Sequence, residues 1–136
     1  MYDFRTSVVY QIYPKSFLDT NGDGVGDLKG VTAKLDYLRE LGVDYLWLTP
    51  FFVSPQRDNG YDVADYRSID PRYGTMEDLE ELVREAEQRN IGLMLDMVFN
   101  HTSTAHAWFQ RAVAGDAKYK DYYSFGKGTG DGAPPT

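Results

Sequence analysis

One stretch indicates the fold more than any other: residues 90–101, with the sequence NIGLMLDMVFNH. Its first half is apolar without alternation, which is typical of a parallel strand buried on both faces, and we predict a strand over Ile91–Val98. The second half offers a carboxylate, an amide and an imidazole at Asp96, Asn100 and His101. In a (β/α) barrel, polar side chains at the carboxyl end of a strand are typical of a catalytic or substrate-binding rim.

The residues of this rim alternate along the chain. In extended backbone Asp96, Val98 and Asn100 would share one side of the strand end, with His101 closing it. A second interpretation is that Asp96 and Asn100 only satisfy amides of the following loop. The motif by itself leaves both interpretations open.

A glycine-rich acidic loop, DTNGDGVGD at residues 19–27, is the second signal. Oxygen side chains at its positions one, three, five and nine, with glycine at six, are typical of a loop that wraps a hard cation. Position twelve, where an EF-hand carries glutamate, is Gly30, so we predict a structural calcium site that is not an EF-hand. The alternative is a turn without metal. The predicted ligands are Asp19, Asn21, Asp23, the backbone carbonyl of Val25, and Asp27.

The third signal is the segment QRDNGYDV, residues 56–63. Its Asn59-Gly60 pair predicts a tight turn that presents Asp58 and Tyr61 on either side. A carboxylate beside an aromatic face suits a sugar, because the carboxylate accepts from hydroxyls and the ring packs on C–H bonds. A solvated loop whose tyrosine covers the core explains the segment equally well.

Strand and helix patterns alternate along the chain, which indicates an α/β fold with a parallel sheet. The first helix is expected to bury Val31, Leu35, Leu38 and Leu41 and to stop at Gly42. The second is expected to start at an N-cap on Thr75. The predicted elements are a strand over residues 7–14, a helix over 31–41, a strand over 45–48, a helix from 75, the strand over 91–98 and a short helix over 105–114.

These motifs together resemble the N-terminal part of the α-amylase family of glycoside hydrolases, and more narrowly its intracellular α-glucosidase subgroup. The resemblance runs from about Val8 to Phe125 with the motifs in order. It rests on VYQIYPKSF at 9–17, the acidic loop, DNGYD at 58–62, YGT at 73–75 and DMVFNH at 96–101.

The resemblance implies the first three β/α units of a (β/α)₈ TIM barrel. A complete barrel takes about 250 residues, so we expect the 136-residue chain to be an N-terminal fragment of a larger enzyme. Residues 1–115 would belong to the barrel, and residues 116–136 would begin a domain inserted after the third strand. From residue 116 onward the composition predicts a loop or linker.

The resemblance also implies a retaining cleavage of terminal α-linked glucose by two carboxylates, a nucleophile and an acid/base. Both would lie on later strands, so we expect no catalytic residue in this chain. Asp58, Tyr61 and His101 would bind the sugar, Asp96 and Asn100 would support the site, and the acidic loop would hold calcium. Trehalose-6-phosphate is the expected substrate. Isomalto-oligosaccharides are the alternative, and a non-catalytic calcium- and sugar-binding relative is an alternative of another class.

Charge and composition indicate which classes of binding partner and which cellular location to expect. A net charge of −7 without a basic cluster argues against nucleic acid or an anionic membrane surface. No apolar run reaches the roughly 18 residues needed to span a bilayer, and the first six residues lack the pattern of a signal peptide. With no cysteine there is no disulfide framework. We therefore expect a cytoplasmic protein, monomeric when full length.

Overall fold

The computed structural model describes residues 4–128, and its centre is a parallel sheet of three strands in the order β1-β2-β5. The register pairs Tyr10 with Leu46 and Leu46 with Leu93, so equivalent positions of the three strands stand side by side. The predicted parallel sheet is confirmed. Its strands are β1 (Val9–Ile12), β2 (Tyr45–Leu48) and β5 (Gly92–Leu95).

An antiparallel pair that the sequence patterns did not predict lies between β2 and the next long helix. Its strands, β3 (Phe52–Val53) and β4 (Asp65–Ile69), pair with an irregular register. The loop between them carries the DNGYD motif, so this pair forms the base of a long excursion from the carboxyl end of β2. The helices are α1 (Pro14–Phe17), α2 (Leu28–Ala33), α3 (Leu35–Glu40), α4 (Met76–Gln88), α5 (Ala107–Val113) and α6 (Ala117–Lys120).

The helix predicted over residues 31–41 is two short helices, α2 and α3, that meet at Lys34 (φ −105°, ψ 6°). The helical segment also begins earlier than predicted. The Asp27 carboxylate caps α2 by accepting a hydrogen bond from the Gly30 amide at 2.7 Å, so the helix begins at Leu28. The expected buried face holds at the first three positions, but Leu41 is 53% exposed because it follows the end of α3.

Helix α4 begins where the sequence indicates. The Thr75 hydroxyl accepts from the Asp78 amide at 3.3 Å, and the Asp78 carboxylate accepts from the Thr75 amide at 2.8 Å. This reciprocal capping box satisfies two amides that the helix leaves without intrahelical partners. Of the apolar residues of α4, Leu82 and Ala86 are fully buried, whereas Val83 is 47% exposed.

The larger of two hydrophobic clusters joins one face of the sheet to helices α2, α3 and α4. The strands contribute Ile12, Leu46 and Leu48, and a second, smaller cluster beneath the excursion contains Phe52, Val63 and Val98. The fully buried aliphatic residues of the helices include Leu28, Val31, Leu35, Leu38 and Leu82.

The third strand is shorter and more exposed than predicted. It ends at Leu95 rather than Val98, and Met94 and Leu95 are 38% and 39% exposed. The physical reason is that β5 has one strand neighbour, β2, within the described residues, so its other edge and one of its faces stay uncovered. The expectation of a strand buried on both faces is wrong for this chain.

The element order and parallel sheet are those of the first three β/α units of a TIM barrel. No helix within residues 4–128 is both long and apolar enough to cross a membrane. A short helix, α6, that the composition did not predict follows α5, with Asp116 as its N-cap. The assignment of residues 116–136 to an inserted domain stays a prediction, and residues 129–136 lie outside the described part.

Candidate active site

Side chains from two loops meet at the carboxyl ends of β2 and β5. The Tyr61 hydroxyl, on the excursion after β2, donates to Oδ2 of Asp96, which directly follows β5, at 3.0 Å. Burial raises the pKa of Tyr61, and the hydrogen bond to the Asp96 carboxylate raises it further. The phenol therefore stays protonated and donating at neutral pH.

The imidazole of His101 reaches the same loop. Its Nε2 lies 3.1 Å from the Tyr61 backbone carbonyl, and its Nδ1 lies 3.2 Å from the amide nitrogen of Asn100. A carbonyl can only accept and an amide NH₂ can only donate, which assigns the proton to Nε2. In this arrangement Nε2 donates to the Tyr61 carbonyl and Nδ1 accepts from the Asn100 amide, so both ring nitrogens are paired.

The turn before Tyr61 has the geometry that its sequence predicts. Asn59 and Gly60 both have positive φ, 51° and 100°, and the Tyr61 amide donates to the Asp58 carbonyl at 2.9 Å. Positive φ at both central positions is the type I′ pattern, which favours Asn-Gly. The side chain of Asp58 is left exposed beside Tyr61, where its charge contributes to the raised tyrosine pKa.

Asp62 organises this loop, a role that the sequence reasoning did not assign. Its carboxylate accepts from the Ser54 hydroxyl at 2.8 Å and from the amides of Arg57 and Asp58 at 3.0 Å. Burial acts to raise the pKa of Asp62, but these hydrogen bonds outweigh it and hold the pKa below its ordinary value. The sequence feature that could have indicated this role is the position of Asp62 at the end of the DNGYD motif.

An ion pair between the buried Asp70 carboxylate and the partly exposed Arg72 guanidinium supports the base of the loop. The Arg72 guanidinium donates to both oxygens of Asp70 and to the Ser54 carbonyl, at 2.6–2.8 Å. Asp70 is 3% exposed, and its Oδ2 also accepts from the Ser54 amide. Ser54 therefore links this pair to Asp62, and the network fixes the base of the loop that presents Asp58.

The alternation expected over residues 96–100 does not persist, because the backbone leaves the strand after Leu95. Asp96 faces Tyr61, Val98 packs beneath the excursion, and Asn100 contacts the imidazole of His101. The structure shows a regular strand only as far as Leu95, so the expectation that these three residues share one side stays a prediction. Asp96, Asn100 and His101 still belong to one connected group, which also includes Tyr61.

In the acidic loop, side-chain oxygens accept hydrogen bonds from backbone amides of the same loop. Asp19 accepts from the amides of residues 21, 22 and 24, which lowers its pKa chiefly through the Gly24 and Gly22 amides. Asn21 and Asp23 each accept from the amide two residues further on. These bonds leave unused acceptor positions on the short oxygen side chains, which is the chemistry a hard cation requires.

Asp27 differs from the other predicted ligands. It is 5% exposed, one of its oxygens caps α2, and the other accepts from the Thr20 amide and hydroxyl at 2.9 and 2.8 Å. Within residues 4–128, no three carboxylate or imidazole side chains form a group arranged to hold a metal. A cation here would therefore depend on the Asn21 amide oxygen and the Val25 carbonyl as well.

Known proteins share both the sequence and the fold. Trehalose-6-phosphate hydrolase of Escherichia coli is 58% identical over 133 residues, which are 98% of this chain and 23% of that protein. Oligo-1,6-glucosidase of Bacillus cereus is 56% identical over 121 residues, 88% of this chain and 22% of that protein. The crystal structure of Bacillus licheniformis trehalose-6-phosphate hydrolase superimposes with a TM-score of 0.88 and 55% identity, covering 95% of this chain and 23% of that one.

The chain thus spans about a quarter of the length of the curated relatives that it matches. Residues 11–136 match the family described as "Alpha amylase, catalytic domain". This match covers most of the sequence, and it includes the excursion and rim where Tyr61, Asp96 and His101 meet. The chain belongs to the α-amylase catalytic-domain family.

Proposed function

We propose that this chain supplies the first three β/α units and part of the sugar pocket of an α-glucosidase that hydrolyses trehalose-6-phosphate with retention. One observation carries the proposal. The Tyr61 hydroxyl bonds Asp96 while the Tyr61 carbonyl bonds His101, so residues from two strand ends form one connected rim. Such rims hold the sites of TIM-barrel enzymes.

In this proposal each residue has a separate task. Asp58, exposed on the turn, would accept from hydroxyls of the terminal glucose, and the ring of Tyr61 would pack under that sugar. His101 would donate from Nε2 to a sugar hydroxyl, which would replace the Tyr61 carbonyl as the acceptor or share the Nε2–H with it. Asp96 and Asn100 would hold Tyr61 and His101 in place. We assign no nucleophile or acid/base to this chain.

The test is a chimera, in which residues 1–136 replace the matching quarter of the E. coli relative. We expect it to hydrolyse trehalose-6-phosphate. Asp58→Ala and His101→Ala should each lower kcat/KM. The loss should correspond to about 2–4 kcal/mol of transition-state stabilisation, because the hydrogen bonds of these residues strengthen as charge develops on the sugar. Glu80→Ala, on the exposed face of α4, is the control and should change nothing. Near-normal turnover by either site variant would remove that residue from the proposal.

A second substrate class is supported by the 56% identity to B. cereus oligo-1,6-glucosidase. A second chimera, in which this chain replaces the corresponding part of B. cereus oligo-1,6-glucosidase, distinguishes the two substrate classes. If the E. coli chimera keeps the larger fraction of its parent's kcat/KM, trehalose-6-phosphate is favoured, and the reverse result favours α-1,6-linked oligosaccharides. Inactivity of both chimeras, with intact folding, would favour a non-catalytic sugar-binding relative.

We further propose that the acidic loop binds calcium through Asp19, Asn21, Asp23, the Val25 carbonyl and Asp27, in a structural role. The support is the oxygen-only donor set curled into one loop, with Asp27 joining it to the start of α2. Calcium at about a hundredfold excess over Kd should stabilise the native chimera by about 3 kcal/mol. Thermal melts with calcium and with chelator measure this, and the shift should vanish in Asp23→Ala. Identical melts would exclude the metal.

A further inference from the structure

Tyr66, on β4, lies against the segment 98–101 but stands outside the motifs at residues 58–62 and 96–101. Its hydroxyl is 2.5 Å from the Val98 carbonyl and 2.7 Å from the His101 carbonyl. The phenol has one proton, which it shares between these two carbonyl acceptors in a bifurcated hydrogen bond. One side chain therefore holds both ends of the segment 98–101.

The ring of Tyr66 is fixed by its neighbours. Its centroid lies 5.8 Å from the ring of His106, 6.1 Å from that of Phe99 and 6.2 Å from that of Phe52. It packs on the small cluster that contains Phe52, Val63 and Val98. Burial raises the pKa of the Tyr66 phenol, so the hydroxyl remains a donor at neutral pH.

Two tyrosines of the same excursion thus form hydrogen bonds with His101, one at its side chain and one at its main chain. The backbone carbonyl of Tyr61 accepts from the imidazole, and the hydroxyl of Tyr66 donates to the backbone carbonyl of His101. After β5 ends at Leu95, this segment has no ladder hydrogen bonds of its own to fix its path. The ring position of His101 therefore depends on where Tyr66 holds its main chain.

We propose that Tyr66 is a positioning residue that sets the placement of the His101 imidazole through the main chain of residues 98–101. The inference rests on the proposed function, in which His101 contacts the sugar. If this is so, removing the Tyr66 hydroxyl should lower kcat/KM only by displacing the His101 imidazole.

The experiment is a double-mutant cycle in the E. coli chimera. Tyr66→Phe keeps the packed ring and removes only the hydroxyl. We expect it to lower kcat/KM about tenfold, the effect of one hydrogen bond, in the native background and by less than twofold when combined with His101→Ala. Tyr122→Phe, on a half-exposed ring packed edge-on against Trp108, is the control and should leave kcat/KM unchanged. Replacing Tyr66 by 4-aminophenylalanine, which restores a donor, should recover activity.

An equal drop in both backgrounds, or no drop, would overturn the inference, since a merely structural role has no reason to vanish with His101. Hydrogen exchange by mass spectrometry adds a readout that does not need activity. Amides of residues 98–101 should exchange faster in Tyr66→Phe and at the native rate in Tyr122→Phe. If the native chimera hydrolyses nothing, the proposed function fails, and unchanged exchange in Tyr66→Phe would then overturn the positioning role as well.

Discussion

The two faces of the central sheet differ sharply. On one face Ile12, Leu46 and Leu48 lie at 1% exposure or less beneath α2, α3 and α4. On the other, Trp47 and its cross-strand neighbour Met94 are 37% and 38% exposed. All five side chains are apolar, so composition does not explain the difference. One face has its covering layer within residues 4–128 and the other does not, and only a closing sheet would supply it.

The strongest test of this difference is the chain by itself. We expect residues 1–136, expressed alone, to be insoluble or molten and to hydrolyse nothing, because an open apolar face and the free edge of β5 favour association. Near-ultraviolet circular dichroism during a thermal melt measures this, with the E. coli chimera as the cooperative control. A sharp cooperative transition together with glucosidase activity from the isolated chain would contradict it.

Single truncations sharpen the comparison in the chimera, where the open face should close. Leu46→Ala removes a fully buried side chain and should cost about 2–5 kcal/mol of unfolding free energy. Met94→Ala should cost a similar amount there, since the further strands that the E. coli relative supplies would bury it. Denaturant melts give both values, and Leu41→Ala, 53% exposed after α3, should stay within about 0.5 kcal/mol as the control. A neutral Met94→Ala would show that this face is a true surface.

The covered face also depends on the start of its longest helix. Thr75→Ala removes the hydroxyl that caps α4 and should destabilise the chimera by about 1 kcal/mol. Thr75→Ser keeps the hydroxyl and should lie within a few tenths of a kcal/mol of the native protein. The same denaturant melts measure both. Equal losses in the two variants would mean that the methyl group, and not the cap, matters.

The smallest expected effect concerns pH. His106 is 6% exposed, and its Nδ1 accepts from the Trp108 amide, which only an unprotonated Nδ1 can do. Burial lowers the pKa of His106, partly offset by the charge of Asp65. The folded state therefore binds this proton less readily than the unfolded state. The stability that depends on neutral His106 is fully present above the unfolded pKa of about 6.5, and it is lost as the pH falls below that value and through the lower folded pKa.

Melts of the chimera between pH 8 and 5 measure the effect, with His106→Asn as the comparison because asparagine also caps helices. The native protein should lose more stability than the variant over this interval. Parallel curves for the two proteins would show that His106 does not contribute.

Much of the site was accessible from local sequence. The Asn59-Gly60 turn, the N-cap at Thr75 and the parallel sheet were all predicted, because each depends on backbone geometry or periodicity within a few residues. The break at Lys34 and the exposure of Leu41 were not. A helical pattern indicates which residues could share a face but not where packing interrupts the helix.

The sequence by itself determined the family, the order of the three parallel strands and of the helical segments between them, and the residue types at the rim, since motifs and hydrophobic periods are written along the chain. Only the tertiary structure decided which of those residues touch. Tyr66 and His101 are 35 residues apart, and Tyr61 and Asp96 are equally distant. Contacts at such separations depend on how the excursion folds back over the end of β5, and no local pattern encodes that geometry.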